Sequence, residues 1–152
     1  MRVTIKKITQ KEQEQVLIEC VEITRQIKEI EAYVKNKSIV LTGMAQGQQR
    51  KQFYLKDVYY FEALDEKVFA YTKEQVYELR TRLYEVEKAY ENHHFVRCSK
   101  QMVLNLMKLD SISPALNGRF FAHMKNGEKL IVSRQYAKAL KEIVMGGKYD
   151  EF

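Results

Sequence analysis

The stretch F-V-R-C-S-K-Q-M-V-L-N-L-M-K-L-D-S-I, residues 95–112, decides the fold of this chain. Residues 95–98 have the aromatic and β-branched character of a strand, and residues 108–112 predict another. The polar triplet S-K-Q follows the first strand, and residues 101–105 are interpreted as a turn or short helix. The stretch therefore predicts short strands joined by tight connections.

The same pattern continues on both sides of this stretch. Spacings this short leave room only for tight antiparallel turns between strands. Thr81 is a suitable cap for a helix that ends near Asn92, and Ser133 for a last helix that ends before Gly146 and Gly147. The fold class is therefore α+β, β-rich with short antiparallel strands. The further predicted strands are residues 39–41, 52–55, 58–61, 67–71, 75–79, 119–124 and 129–132.

The first 46 residues predict a small β-β-α extension. Residues 2–8 and 15–20 have strand character, and the period then changes to that of a helix over residues 22–35. The helix carries an apolar stripe, which indicates either packing on the strands or a dimer contact. A flexible stretch, G-M-A-Q-G at residues 43–47, is the predicted seam, so the chain divides into 1–46 and 47–152. The stripe consists of Ile23, Ile27, Ile30 and Val34.

Length and composition limit the class of protein. A chain of 152 residues with a single proline fits one folded domain plus a small extension. No apolar run approaches the roughly 20 residues that a membrane span needs, and the start lacks a signal-peptide core. We therefore expect a cytoplasmic protein with no membrane span. Cys20 and Cys98 lie far apart, and we expect two small buried thiols.

The positive charge is concentrated in the last third of the chain. The net charge is +6, and residues 97–148 hold ten Lys or Arg against three acidic residues, a local net of +7. Residues 47–96 hold eight basic and nine acidic residues. A segment this basic favours contact with nucleic-acid phosphates, because each neutralised phosphate releases counterions.

Several motifs occur here in a fixed order. N-G-R-F-F-A-H-M-K-N-G-E-K-L-I-V-S-R-Q-Y (117–136) follows the opening stretch, while D-V-Y-Y-F-E (57–62) and R-L-Y-E-V-E (82–87) precede it. Over residues 47–145 the chain resembles the LytTR family of bacterial DNA-binding domains. The resemblance implies an elongated core of small antiparallel sheets whose loops enter successive major grooves of double-stranded DNA.

The resemblance also points to candidate base readers, which must present donors or acceptors from short rigid loops. Arg134 follows the Ser133 cap, where a cation opposes the helix dipole at a cost of about 0.3 to 1 kcal/mol. Lys100 lies in the polar triplet, and Lys67 lies in the first reading loop beside two acidic residues. The expected phosphate or supporting contacts are Ser99, Gln101, Lys108, Lys125, Asn126, Lys129, Ser133 and Lys138.

Other polar residues have plainer interpretations. Arg97 either joins this surface or forms a buried ion pair with Glu62. His93 and His94 are adjacent and are interpreted as exposed helix-end residues, with no spacing that completes a metal site. No phosphate loop or nucleophile motif is present, so we expect neither a cofactor nor an enzyme.

The leading hypothesis is a stand-alone LytTR-type transcription regulator. It would bind direct repeats as a homodimer, at least on DNA, since one domain reads only a short half-site. A signalling partner at residues 1–46 is an open possibility. The alternative is a protein-interaction or ligand-sensing module that does not bind DNA, and RNA binding by the same basic surface is a third hypothesis.

Overall fold

The computed structural model describes residues 1–37 and 39–145, which form two antiparallel sheets and three α-helices. The larger sheet has the order β2-β1-β5-β4-β3-β7-β6, and the smaller one has the order β10-β9-β8. The predicted α+β class is confirmed. The strands are β1 (Val40–Ala45), β2 (Gln49–Tyr54), β3 (Val58–Leu64), β4 (Lys67–Thr72), β5 (Val76–Leu79), β6 (Phe95–Ser99), β7 (Met102–Asn105), β8 (Leu109–Pro114), β9 (Phe120–Met124) and β10 (Lys129–Val132), and the helices are α1 (Arg25–Lys37), α2 (Leu83–Tyr90) and α3 (Arg134–Val144).

One face of the larger sheet packs against α2. Phe61 of β3 and Val68 of β4 belong to this core and are almost fully buried, together with Val103 of β7. Leu83 and Val86 cover them from one side of α2. Each large side chain buried in this way contributes about 1.5 to 3 kcal/mol, and this core fixes β3, β6 and β7 as a platform.

The other face of the platform packs against the smaller sheet and α3. Leu104, Val132 and Leu140 are buried in this second core. The Tyr60 hydroxyl donates a 2.8 Å hydrogen bond to Glu128 Oε2, which ties the two sheets together. The second core therefore holds the start of α3 next to the end of β6.

The interpretation of residues 101–105 as a turn or short helix is wrong, since Met102–Asn105 is strand β7. β7 lies between β3 and β6, and both Val103 and Leu104 are fully buried. The Asn105 amide donates to the Val58 carbonyl at 2.8 Å and accepts from the Met107 N–H at 3.0 Å. As expected from its type, Asn105 satisfies backbone groups.

The two strands predicted before α1 are also wrong. Residues 1–24 contain one 3-10 turn, Lys11–Gln13, and no strand. The sequence has a strand-like pattern, but no strand of either sheet in the described residues pairs with this segment.

α1 begins later than predicted because Thr24 caps it. The Thr24 hydroxyl accepts a hydrogen bond from the Ile27 N–H at 3.3 Å. The helix packs on two 3-10 turns, Leu55–Asp57 and Glu91–His93. Along its apolar stripe Ile27 and Ile30 are half-buried, whereas Ile23 and Val34 are exposed.

Two other boundaries differ from the predictions. α2 begins after Arg82, which makes no side-chain cap bond, so the predicted cap at Thr81 is wrong.

Gly43, at the start of the predicted seam, lies inside β1, where an added Cβ would stand 2.8 Å from the Tyr77 Cβ. β1 pairs with β2 and with β5 of the larger sheet, and the division of the chain at residue 46 stays a prediction. The helix end predicted at Gly146 and Gly147 lies outside the described residues.

Candidate nucleic-acid interface

The turn between β6 and β7, residues 100–101, is fixed by the Arg97 guanidinium. Nε donates to the Ser99 carbonyl at 2.8 Å and Nη2 donates to the Lys100 carbonyl at 2.7 Å. Nη1 forms an ion pair with Glu87 Oε1 of α2 at 2.9 Å. The predicted pairing with Glu62 is wrong, because Glu62 instead accepts the Tyr71 hydroxyl at 2.9 Å. Arg97 therefore positions the turn that presents the exposed Lys100 side chain.

α3 starts directly beside this turn. The Ser133 N–H donates to the Cys98 carbonyl at 2.9 Å, which joins the start of α3 to the end of β6. Ser133 occupies the predicted N-cap position with φ −68° and ψ 153°. Its hydroxyl, however, makes no cap bond and is buried without a hydrogen-bond partner in the described structure. The backbone bond, and not the hydroxyl, thus holds the start of the helix.

These two elements form the walls of an open groove of about 590 Å³, which we call the reading groove. It brings together the exposed cations of Lys100 and Arg134, 34 residues apart in sequence. Gln135, which the sequence analysis did not single out, adds an amide beside them. An arrangement of two cations and an amide on a helix start suits an acceptor-rich, anionic partner. The lining residues are Ser99, Lys100, Gln101, Ser133, Arg134 and Gln135.

Gly118 leaves room for the stem of the Arg134 side chain. It ends the 3-10 turn Leu116–Gly118 with φ +75°, a conformation that disfavours other residues. A Cβ at this position would lie 3.1 Å from both Cγ and Cδ of Arg134. The missing side chain lets the Arg134 stem lie against the turn. The sequence contains this glycine in an N-G pair, but its role depends on contact with α3.

Lys67 lies on the adjacent hairpin and not in the reading groove. Asp65 and Glu66 form the two-residue turn between β3 and β4, with φ +48° and φ +65°. The Ala63 N–H donates to the Gln101 carbonyl at 2.7 Å, so this hairpin adjoins the β6–β7 turn. The Lys67 ammonium forms a 3.4 Å ion pair with Glu78 of β5, on the side away from Lys100. A reading role for Lys67 stays a prediction.

A lysine cluster lies away from the reading groove. The Lys125 N–H donates to the Lys108 carbonyl at 2.8 Å. Burial lowers the pKa of Lys108; Asp57 opposes this shift, while Lys125, Lys56 and Lys73 reinforce it. The Asp57 carboxylate lies among these lysines and forms a 3.6 Å ion pair with Lys56. Sequence analysis missed Lys56 and Lys73, because only the fold brings them to Lys108.

The remaining predicted phosphate contacts differ in how they are held. The Asn126 side chain closes its own turn, accepting from the Glu128 N–H at 3.0 Å and donating to Glu128 Oε1 at 2.7 Å. The Lys129 ammonium lies 4.3 Å from the centre of the Phe121 ring. Lys138 is exposed one turn beyond the start of α3. β10 separates this hairpin from α3 by four residues, roughly 13 Å at the usual strand rise.

Two expectations about thiols and imidazoles need correction. Cys98 is buried as expected, and burial raises the pKa of its thiol to about 12, but Cys20 is exposed. His94 is buried, so its interpretation as an exposed helix-end residue is wrong. Burial lowers its pKa, and Lys28 of α1 adds to the shift.

No helix within the described ranges is long and apolar enough to cross a bilayer.

Comparison with known proteins places this arrangement in a family. Residues 48–145 match the model of the LytTr DNA-binding domain. The chain belongs to the LytTR family. Its structure also superposes on a LytTr DNA-binding domain from Bacillus cereus with a TM-score of 0.64 and 26% sequence identity, covering 69% of this chain and 95% of the other. The predicted family resemblance is confirmed.

Curated relatives of the LytTR segment come from Staphylococcus aureus. An uncharacterized HTH-type transcriptional regulator of strain bovine RF122 / ET3-1 is 33% identical over 89 residues, 59% of this chain and 60% of the relative. One from strain MRSA252 is 32% identical over 88 residues, 58% of this chain and 59% of the relative. The match thus spans less than two thirds of these relatives. The family match includes the reading groove and the lysine cluster, while residues 1–47 lie outside it.

Proposed function

We propose that this protein is a sequence-specific transcription regulator that binds double-stranded DNA at direct repeats. The observation that carries the proposal is the convergence of Lys100 and Arg134 in one groove of a LytTR domain. Arg97 fixes the backbone of the turn that carries Lys100, and Gly118 leaves room for the stem of Arg134. The backbone at both positions is thus ordered before binding, and its ordering costs nothing when the side chains meet base edges.

Arg134 is the principal base reader in this proposal. A guanidinium can donate two parallel hydrogen bonds to O6 and N7 of guanine, and a correct pair contributes about 1 to 3 kcal/mol of discrimination. Lys100 lines the same groove and reads the neighbouring acceptors. Lys67 is a third candidate, which must first exchange its ion pair with Glu78 for a contact with DNA.

The lysine cluster supplies affinity that does not depend on sequence. Lys108 and Lys125 would contact phosphates together with Lys56 and Lys73, and each contact adds about one unit to the salt dependence. Lys129 and Lys138 are exposed cations that could add further phosphate contacts. Phosphate contacts fix the register of the protein on the duplex, whereas contacts from the reading groove select the base sequence that is bound.

Two copies would occupy neighbouring repeats as a homodimer on DNA. One reading groove covers a short half-site, and a second copy on the next repeat raises the overall affinity without any new kind of contact.

The test compares three ligands at several salt concentrations: a duplex with direct repeats about one helical turn apart, a scrambled duplex, and RNA. The repeats are first identified by footprinting the region upstream of the protein's own gene. We expect the repeat duplex to bind most tightly, and Arg134→Ala to weaken it by about 1 to 3 kcal/mol while scrambled DNA is little affected. The matched control is Lys138→Ala, on the next turn of the same helix, which should weaken both duplexes alike. Equal ratios for Arg134→Ala and the parent protein would contradict the proposal.

A further inference from the structure

The first 23 residues expose an unusual amount of apolar surface. They hold eight of the eighteen large hydrophobic side chains that are exposed in the described residues. Val3 is 82% exposed, Ile5 is 92% exposed and Leu17 is 73% exposed. Apolar groups this dense on a surface usually mark a contact with another molecule.

The backbone of this segment is also open to pairing. Within residues 1–23 the backbone hydrogen bonds lie at the turn Lys11–Gln13, where Gln13 and Glu14 donate, and at Glu22, which accepts from the Thr24 N–H. Residues 2–8 and 15–20 have the alternation and β-branched content of strands, yet neither is paired in the described structure. Unpaired strand-like segments are templates for pairing with another chain.

The charges of the segment divide it into two halves. Residues 2–11, the basic arm, carry four basic side chains and no acidic one. Residues 12–22, the acidic arm, carry four glutamates and no basic residue. The segment is therefore complementary to a second copy of itself. The charged residues are Arg2, Lys6, Lys7 and Lys11, and Glu12, Glu14, Glu19 and Glu22.

We propose that the basic arm of one copy of this chain pairs in antiparallel fashion with the acidic arm of a second copy, and that this exchange holds a homodimer without DNA. A register with Ile5 opposite Val16 brings apolar side chains together. The next position on the same face places Lys7 opposite Glu14. Opposite charges and apolar pairs directly across an antiparallel pair both stabilise it.

A second copy suits the two arms better than pairing within one chain. A two-stranded hairpin alone is marginal in water, and it would leave its apolar face uncovered. A two-fold exchange produces two identical strand pairs, whose apolar faces can cover each other. This dimer does not depend on the reading groove or on DNA.

The experiment measures the molar mass of the full chain without DNA, by light scattering and sedimentation over a range of concentrations. In this register Arg2→Glu/Lys7→Glu places glutamates opposite Glu19 and Glu14, and Glu14→Lys/Glu19→Lys places lysines opposite Lys7 and Arg2. We expect the parent protein to be a dimer and each variant to dissociate with at least a tenfold higher dissociation constant. An equimolar mixture of the two variants should restore the dimer, because both of its arm pairs are complementary again.

The matched control is Lys51→Glu/Lys88→Glu, which changes the same charge at exposed positions of β2 and α2 and should leave the dimer intact. Circular dichroism checks that every variant is folded. A parent protein that is monomeric at all concentrations overturns the proposal. So does a dimer that survives both charge reversals, or variants whose mixture stays monomeric, since the arms would then pair within one chain or not at all.

Discussion

Replacing Arg97 by methionine tests whether the β6–β7 turn must be held in place for DNA recognition. Methionine keeps an apolar stem of similar length, but it cannot donate to the Ser99 and Lys100 carbonyls or pair with Glu87. The substitution thus removes the clamp and leaves Lys100 itself unchanged.

The size of the effect follows from the three contacts. Hydrogen bonds from a charged donor contribute about 1.5 kcal/mol each at the lower end of their range, which gives about 3 kcal/mol for the two carbonyl bonds. The Glu87 carboxylate is 37% exposed, so the ion pair adds at most about 1 kcal/mol. The bond to the Lys100 carbonyl is exposed, and water replaces it in the variant. We therefore expect a loss of about 2 to 3 kcal/mol in the free energy of unfolding.

DNA binding should fall as well, because the turn that carries Lys100 must then be ordered on binding. Fixing one residue costs about 1 to 2 kcal/mol, so we expect a five- to thirtyfold weaker affinity for the repeat duplex and a smaller effect on scrambled DNA. Urea unfolding measures the first quantity, and fluorescence anisotropy at a temperature where the variant is folded measures the second.

Glu87→Gln is the matched control for this variant. It weakens the ion pair but leaves both carbonyl bonds, so unfolding should change by less than about 1 kcal/mol and DNA binding should stay close to that of the parent protein. If Arg97→Met loses stability while its ratio of specific to scrambled binding is unchanged, the idea that Arg97 positions the reading groove is refuted.

Three further predictions concern other parts of the fold. Gly118→Ala should destabilise the protein by about 1 to 2 kcal/mol in urea unfolding, because of its positive φ, and should lower the specific-to-scrambled binding ratio because the new Cβ meets the Arg134 stem. An unchanged ratio would show that Gly118 serves only the turn. Tyr60→Phe should cost about 1 kcal/mol in the same assay, through loss of the hydrogen bond between the two sheets, with little change in the reading groove; no change in unfolding would mean that this bond adds nothing. Burial holds the folded pKa of His94 below its usual 6.5, so its contribution to stability is present above pH 6.5 and is lost as the pH falls from there toward the folded pKa. His94→Asn, which tolerates the φ of +67°, should weaken the dependence of the urea midpoint on pH between 7.5 and 5.5, and an unaltered dependence would exclude His94 as its source.

The fold could be predicted wherever alternation and turns coincide. β4 and β10 bury alternate residues against one core, so their patterns are visible in the sequence. The prediction for β7 is wrong because a core covers each face of this strand: Val103 is buried in the first core and Leu104 in the second, which removes the alternation. Residues 2–8 and 15–20 were predicted as strands from their β character, which says nothing about whether a partner strand is available.

The candidate site was predictable only in part. Chemistry and family resemblance selected Lys100 and Arg134, and the fold places them in one groove. Of the two alternatives for Arg97, the ion pair with Glu62 is wrong, because α2 brings Glu87 to Arg97 and no local sequence pattern indicates that contact. Gly118 was missed for the same reason, since its importance lies in what it leaves room for.

The short strand β10 sets the distance between two parts of the proposed DNA-binding surface. It starts at the hairpin of Lys125 and ends at the helix that begins with Arg134, and the bond between Tyr60 and Glu128 keeps its sheet from shifting on the platform. A duplex that meets both ends at once must match a fixed separation of roughly 13 Å. In the proposed complex, groove width and twist would then influence binding at base pairs that no side chain contacts. The protein would therefore select DNA by its shape as well as by its bases.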